Sequence, residues 1–355
     1  MDWPKKYIID LDLPPGDRWD HVIRDNDAEL RQLSENFTSI LKSQFNGTIA
    51  RLRKYVLRPL CSIKPIQDTY SKELAGIAKI TSTYGLSYGD LVLFNTALDF
   101  LAKCTSVVAS TSEGQMHVRT LDWDMPELRG LTIVVTFVRK GSPIYKGVTF
   151  VGCVGLLTGI RIFTPAYSEA FSLSYNFRKT LKSKKGFLRH LVCCYVGVCC
   201  ISFLLRNVLE NCNGFNEAKL AIVSEKVPLC GYVVISGSRI FSAFLFAVGT
   251  DPYIDGPSTV IVQTNHDPEL EELEKIPEAW IEGDTVLRST IERKQHVLRF
   301  LSNKHVICGH DVKRVMMENP IQNESTIFTC IMKPGEGVLQ LFDCTEKVRR
   351  RWSKF

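Results

Sequence analysis

A cysteine that opens an extended apolar run, with an arginine and an aspartate at short spacing downstream, supplies the residue types of a nucleophilic site. In Lys103-Cys104-Thr105-Ser106-Val107-Val108-Ala109 the cysteine comes first, and Arg119 and Asp122 follow within His117-Val118-Arg119-Thr120-Leu121-Asp122-Trp123-Asp124. Scission of the bond before Cys104 gives that residue a terminal α-amine, so that a thiol and a base sit on one residue, the logic of threonine/N-terminal-amine sites. A guanidinium near the sulfur favours thiolate. A carboxylate can hold and orient the α-ammonium, whose ordinary pKa is about 7.7–8.0. A base working below neutral pH needs that value lowered, and Arg119 pushes it that way. Strand alternation sends Arg119 to one face, with Asp122 just past it, where a turn brings both near Cys104. For Cys104 the plain alternative is a packed thiol; for Arg119 it is a surface strand charge, and for Asp122 a turn carboxylate.

The elements that must position these residues change character at the cysteine. The first hundred residues read mainly as helices: Leu30, Leu33, Phe37, Ile40 and Leu41, then Tyr70, Leu74 and Ile77, then Leu91, Phe94, Leu98 and Leu101 recur at helical steps. Gly85 and the segment Ser87 to Asp90 break the second of these runs and start the third, which delivers the chain to Cys104. Beyond it, β-branched and aromatic residues predict strands over 131–139, 145–152, 170–176, 232–236, 240–248, 259–264, 325–332 and 335–342. Helices are expected at 187–211, 216–224 and 284–302. The pattern is α+β without strict β-α-β alternation. The apolar stretch 191–205 is shorter than the ~20 residues a membrane-spanning helix needs; a buried core helix and a lipid-facing helix at the mouth of a site both remain open.

At 355 residues, with 45 % hydrophobic and 23 % charged residues, the chain can bury a substantial core. The net charge of +6 is modest, and the one dense basic run, 347–354, is a solvated tail or a patch for anionic headgroups. Nucleic acid is not an expected partner. The twelve cysteines lack finger spacing, so no metal site is expected; they form disulfides in an oxidising compartment or stay buried thiols. Asn36-Phe37-Thr38, Asn46-Gly47-Thr48 and Asn323-Glu324-Ser325 are glycan acceptor triplets. The start, Met1-Asp2-Trp3-Pro4-Lys5-Lys6, shows no apolar signal-peptide core.

Several blocks together resemble one family. These are Cys104-Thr105-Ser106 through Arg119 and Asp122, Tyr7-Ile8-Ile9-Asp10-Leu11-Asp12-Leu13-Pro14-Pro15 with Arg18-Trp19, Phe150-Val151-Gly152-Cys153-Val154-Gly155-Leu156-Leu157-Thr158-Gly159, Phe171 to Arg178, and Val262-Gln263-Thr264-Asn265-His266-Asp267. The chain resembles the acid ceramidase and N-acylethanolamine-hydrolysing acid amidase family, a branch of the N-terminal-nucleophile hydrolases related to choloylglycine hydrolases. The resemblance implies a four-layer αββα sandwich with an N-terminal helical segment. It implies self-cleavage between Lys103 and Cys104 into pieces 1–103 and 104–355, which stay together as a heterodimer, and no cofactor.

The implied catalytic set is Cys104, Arg119 and Asp122, with Asn265 donating its amide to the oxyanion and Arg288 as a second site arginine. Asn176, Trp123 and His190 are implied substrate-wall residues. The family's glutamates correspond to about 180–195, where this chain has no acid; His190 in that place would shift the pH profile, since histidine charges near 6.5. The implied substrate is a lipid amide, met at a membrane surface. Ceramide is the first expectation and an N-acylethanolamine the second; a non-catalytic lipid-binding homologue is the alternative of another class. A penicillin or bile-salt amidase relative is disfavoured, because its nucleophile lies near the start of the chain. The implied compartment is the lysosome, with the cytoplasm as the alternative.

Overall fold

The computed structural model describes residues 3–44, 68–101, 103–163, 169–178, 200–225, 227, 230–249, 252–267, 285–342 and 344. Its strands are β1 (Lys5–Asp10), β2 (Lys103–Thr111), β3 (Gly114–Asp122), β4 (Thr132–Arg139), β5 (Ser142–Phe150), β6 (Thr158–Arg161), β7 (Phe171–Phe177), β8 (Gly231–Gly237), β9 (Ala243–Val248), β10 (Tyr253–Asp255), β11 (Val260–Gln263), β12 (Thr326–Lys333) and β13 (Val338–Phe342). They form two sheets, one ordered β1-β4-β5-β6-β7-β8-β9-β10 and the other β11-β2-β3-β12-β13. The sheets face each other through β2 and β3 against β7 and β8.

The helices include α1 (Asp20–Asp25), α2 (Asp27–Gln44), α3 (Asp68–Thr81), α4 (Tyr88–Leu101), α5 (Ile201–Asn211), α6 (Phe215–Ser224), α7 (Thr285–Ser302) and α8 (Gly309–Met316). Helices α4, α5 and α6 pack on strands of the larger sheet, while α7 and α8 cover β2, β3 and β11 of the smaller one. This is the αββα sandwich.

The helix that leads to the cysteine is bounded as its residues require. Gly85 takes a left-handed φ of 95° to close the preceding 3-10 turn. Ser87 and Asp90 then form a reciprocal cap, Asp90 accepting from the Ser87 backbone (3.0 Å) and the Ser87 hydroxyl accepting from the Asp90 backbone (3.3 Å). Asn95, within α4, donates to the Gly152 carbonyl (3.1 Å) and accepts from the Val154 backbone (2.9 Å), which docks the helix on the loop after β5.

The expected helical prelude is not purely helical. Residues 5–10 form β1, paired in parallel with β4 in the register Lys5↔Ile133 to Asp10↔Val138. A single apolar cluster joins Ile9, Leu30, Leu74 and Leu98 from before Cys104 with Phe137, Leu173 and Val233 from after it. Across the same boundary, buried Glu73 of α3 accepts from Arg18 (2.9 Å), Trp19 (2.8 Å) and Arg206 of α5 (2.8 Å), and the Arg206 guanidinium lies over the Tyr70 and Phe137 rings. Burial alone would raise the Glu73 carboxyl, but Arg206, Trp19 and Arg18 outweigh it and hold it below its ordinary value.

Of the apolar stretch 191–205, the part within the described residues enters α5, whose first five residues are all buried; 191–199 lies outside them. No helix among the described residues is long and apolar enough to cross a membrane. Cys153, Cys212, Cys308 and Cys330 carry thiols. No cluster of metal-ligating side chains occurs among the described residues.

Candidate active site

Cys104 is the second residue of β2 and is fully buried. Its backbone N–H donates to Asn265 Oδ1 (2.9 Å), and its Sγ accepts from Arg119 Nη2 (3.0 Å). Antiparallel pairing of β2 with β3 sets Cys104 opposite Leu121 and Ser106 opposite Arg119, so the guanidinium slants back to the sulfur. Arg119 points between the sheets, where it also donates to the Tyr175 carbonyl (2.9 Å) and to Thr158 Oγ1.

Three residues along the same strand, Asp122 faces the other way, toward α7. There its Oδ2 lies 3.5 Å from Arg293 Nη1. Arg293 donates in turn to the Cys104 carbonyl (2.8 Å), Thr105 Oγ1 (2.6 Å) and Asn265 Oδ1 (3.1 Å). The cysteine is therefore held at its sulfur from one face of the sheet and at its backbone from the other.

The electrostatics are those of a closed site. Burial pushes the Cys104 thiol above its ordinary value, and Arg119 pulls against that without cancelling it. The guanidinium does not by itself make a thiolate while the chain is continuous through Lys103 and Cys104. Asp122 is also raised by burial, against Arg293, Thr326 and Asn323, and burial lowers Arg293.

Behind the cysteine a polar chain links the sheets. Ser172 and Ser174 each lie 2.9 Å from a ring nitrogen of His117, Ser174 meets Ser106 at 2.8 Å, and Ser106 donates to Asn176 Oδ1 (2.9 Å). Burial, reinforced by Arg119, pushes His117 down to about 3, so it is neutral. Beside Arg119 lies a narrow apolar cavity of about 10 Å³, close to the room one water needs, lined by Leu98, Leu121, Val148, Phe150, Leu157 and Phe328 among others.

Comparison with known proteins places this geometry. The model of the beta subunit of N-acylethanolamine-hydrolyzing acid amidase matches residues 2–61. The acid ceramidase of Mus musculus is 27 % identical over 367 residues, spanning 96 % of this chain and 86 % of that protein. The N-acylethanolamine-hydrolyzing acid amidase of Caenorhabditis elegans is 28 % identical over 359 residues, 94 % of this chain and 90 % of that protein. A solved structure of the Caenorhabditis elegans N-acylethanolamine-hydrolyzing acid amidase ortholog superposes with a TM-score of 0.53 at 27 % identity, covering 65 % of this chain and 93 % of that one. Over nearly its whole length the chain is similar to the acid ceramidases and the N-acylethanolamine-hydrolyzing acid amidases. It is an amidohydrolase, and the sandwich is the N-terminal-nucleophile hydrolase fold.

For this amidase the structure brings Cys104, Arg119, Asp122 and Asn265 together and sets other expected residues apart. Arg288 is not at the site: its side chain is 70 % exposed and lies 3.8 Å from Glu292. Arg293 takes the place, because the buried stripe of α7 runs through Leu287, Thr290, Ile291, Lys294 and Val297, and Arg293 shares that face whereas Arg288 does not. The stripe is visible in the sequence; which arginine it carries inward becomes evident only once the helix phase is fixed.

Asn265 is present with its polarity reversed from the expectation. It offers its carbonyl to Cys104 and Arg293, both donors, and its amide donates to the Phe177 carbonyl (2.8 Å). Asn176 is committed to the framework, donating to the Gln263 carbonyl (2.8 Å), and Trp123 is buried in the main core cluster. Neither lines an open wall. His190 and Asn46 lie outside the described residues; Asn36 falls in α2. Asn323 directs its side-chain amide inward, toward Asp122 Oδ2 (3.5 Å) and the Pro320 and Ile321 carbonyls (both 3.4 Å).

Proposed function

We propose that this amidase cuts itself between Lys103 and Cys104 and then hydrolyses the amide bond of ceramide, giving sphingosine and a fatty acid. The observation that carries the reading is that the nitrogen and the sulfur of one residue, Cys104, are each held by a buried side chain, Asn265 at 2.9 Å and Arg119 at 3.0 Å. In the first phase the Cys104 sulfur attacks the Lys103 carbonyl carbon as the thiol proton leaves. The C–N bond breaks, the nitrogen takes up a proton, and the acyl group rests on sulfur as a thioester. Water then releases the Lys103 carboxylate and returns the thiol.

The new α-amine stays where Asn265 Oδ1 held the peptide N–H. In turnover that amine takes the thiol proton, the thiolate attacks the substrate amide carbon, and the protonated amine gives its proton to the departing sphingosine amine. Water hydrolyses the resulting thioester to the fatty acid. Arg119 and the Asp122–Arg293 pair hold Cys104 from its two sides throughout.

The apolar lining of the cavity beside Arg119 suits the start of an acyl chain, and at about 10 Å³ the cavity is far smaller than the ~300–1,000 Å³ usual for small-molecule sites, so the site must open before a substrate enters. The two pieces remain together through β1 on β4 and the Glu73 cluster, neither of which involves the cut bond. An N-acylethanolamine is the second substrate reading, since its acyl half presents the same apolar chain. The compartment in this reading is the lysosome; Glu73, whose carboxyl is held below its ordinary value, keeps its charge in mild acid.

After incubation in acid, N-terminal sequencing should find a new terminus reading Cys104-Thr105-Ser106, and Cys104→Ala should abolish both the cut and amide hydrolysis. An intact wild-type chain at every pH, or turnover retained by Cys104→Ala, would refute the reading. Ceramide and palmitoylethanolamide assayed side by side on the cut protein decide the substrate.

A further inference from the structure

Two aspartates flank the bond expected to break, and one short turn reaches both. Asp122 closes β3 opposite Lys103 of β2 on one side and Thr326 of β12 on the other. The Thr326 hydroxyl accepts from the Asn323 backbone N–H (3.0 Å), which commits its single proton to Asp122 Oδ1 (2.7 Å). Asn323 adds its amide at 3.5 Å from Oδ2.

Two residues on, Asp124 accepts the Lys103 ammonium on Oδ2 (2.8 Å) and the Ser325 hydroxyl on Oδ1 (2.6 Å). The turn itself is fixed. Ser325 N donates to Asn323 Oδ1 (2.9 Å), Trp123 N donates to the Ser325 carbonyl (2.7 Å), and Arg129 donates to the Thr326 carbonyl (2.9 Å).

We propose that the turn 323–326 is the positioning element for self-cleavage: through Thr326 and Asn323 it aims Asp122, and through Ser325 and Asp124 it pins the Lys103 side chain, the residue whose carbonyl is attacked. This rests on the self-cleavage reading above and adds to it a requirement that the residue before the nucleophile carry the charge opposite to that of residue 124, a basic one beside Asp124. The triplet Asn323-Glu324-Ser325 thereby has an internal task, its amide and hydroxyl both turned to the two aspartates. The Lys103–Asp124 pair is too exposed, at 31 % and 57 % of its side chains, to matter much for stability. Its consequence is geometric, and a misplacement of ~1 Å at a reacting carbon can cost roughly a hundredfold in rate. Partial burial works against the Asp124 charge, yet the bonds from Lys103 and Ser325 hold its carboxyl below the ordinary value, so the pair persists in mild acid.

The test follows the cut on a denaturing gel after the full chain is moved from neutral to acidic buffer. Asp124→Asn should slow it roughly ten- to a hundredfold, and the exchanged pair Lys103→Asp with Asp124→Lys should recover most of that loss, which a folding defect would not. Thr326→Val removes a donor to ionised Asp122 and so moves the pH dependence of the cut upward, while Thr326→Ser restores the wild-type profile. An Asp124→Asn chain that cuts at the wild-type rate, or an exchanged pair as slow as either single change, overturns this inference alone. A wild-type chain that never cuts removes the self-cleavage reading and this inference with it.

Discussion

Lowering the pH should weaken the fold through histidines that the folded chain keeps neutral, and His117 is the most deeply buried of them. The imidazole is completely buried between the sheets with a serine hydroxyl at each ring nitrogen. Burial, then Arg119, takes it down to about 3, against an ordinary value of 6.5. Between those two values the unfolded chain binds a proton that the folded chain refuses, so folding stability rises with pH across the window and falls on acidification. The slope for one such group is about 1.4 kcal/mol per pH unit, and from pH 6.5 to 4.5 the loss comes to roughly 2–3 kcal/mol.

His117→Gln keeps a donor and an acceptor facing Ser172 and Ser174 but has no proton to gain. Built on Cys104→Ala, so that the chain stays continuous, the variant and its parent can be unfolded in urea at pH 6.5, 5.5 and 4.5. The variant should start less stable, because the ring no longer fills its site, and the gap should close by roughly 2–3 kcal/mol toward pH 4.5. Parallel pH dependences for the two proteins would refute the reasoning, since they would mean that His117 is already solvated or charged in the fold.

Two further outcomes follow from the site and the cluster beside it. Arg293→Lys keeps the charge near Asp122 but loses the forked bonds to Cys104, Thr105 and Asn265; both the cut and kcat/KM should fall by ~10²-fold or more, whereas Arg288→Ala should leave both unchanged. Glu73→Gln leaves Arg206 buried without its carboxylate and should cost about 3–5 kcal/mol in urea unfolding. Because the folded-state value of Glu73 lies below 4.5, the wild-type contribution is present above that pH and is lost only as the pH falls through the lower folded value.

The chemistry of this protein is carried by short-range features, and those are legible along the chain. Cys104 at the start of an extended run, Arg119 and Asp122 within eighteen residues of it, and the helix entered at the Ser87–Asp90 cap are local patterns. The structure keeps each of them. The strands from 132 onward follow β-branched and aromatic runs, as do β7 and β8, because a half-buried pleated surface selects those residues wherever it lies.

Tertiary structure decided everything that depends on distance in the chain or on the phase of an element. The run Lys5–Asp10, inside a stretch read mainly as helical, becomes a strand because β4, more than a hundred residues away, offers it a parallel edge. Arg293 displaces Arg288 because only docking of α7 on β2 and β11 determines which of its faces turns inward. The direction of the thiol shift was also beyond sequence reasoning: a guanidinium beside a sulfur argues for thiolate, but complete burial acts on the same group with the opposite sign and is the larger effect. Asn323 and Ser325 read as an acceptor triplet until β12 is laid beside β3, since only that pairing brings their side chains to Asp122 and Asp124.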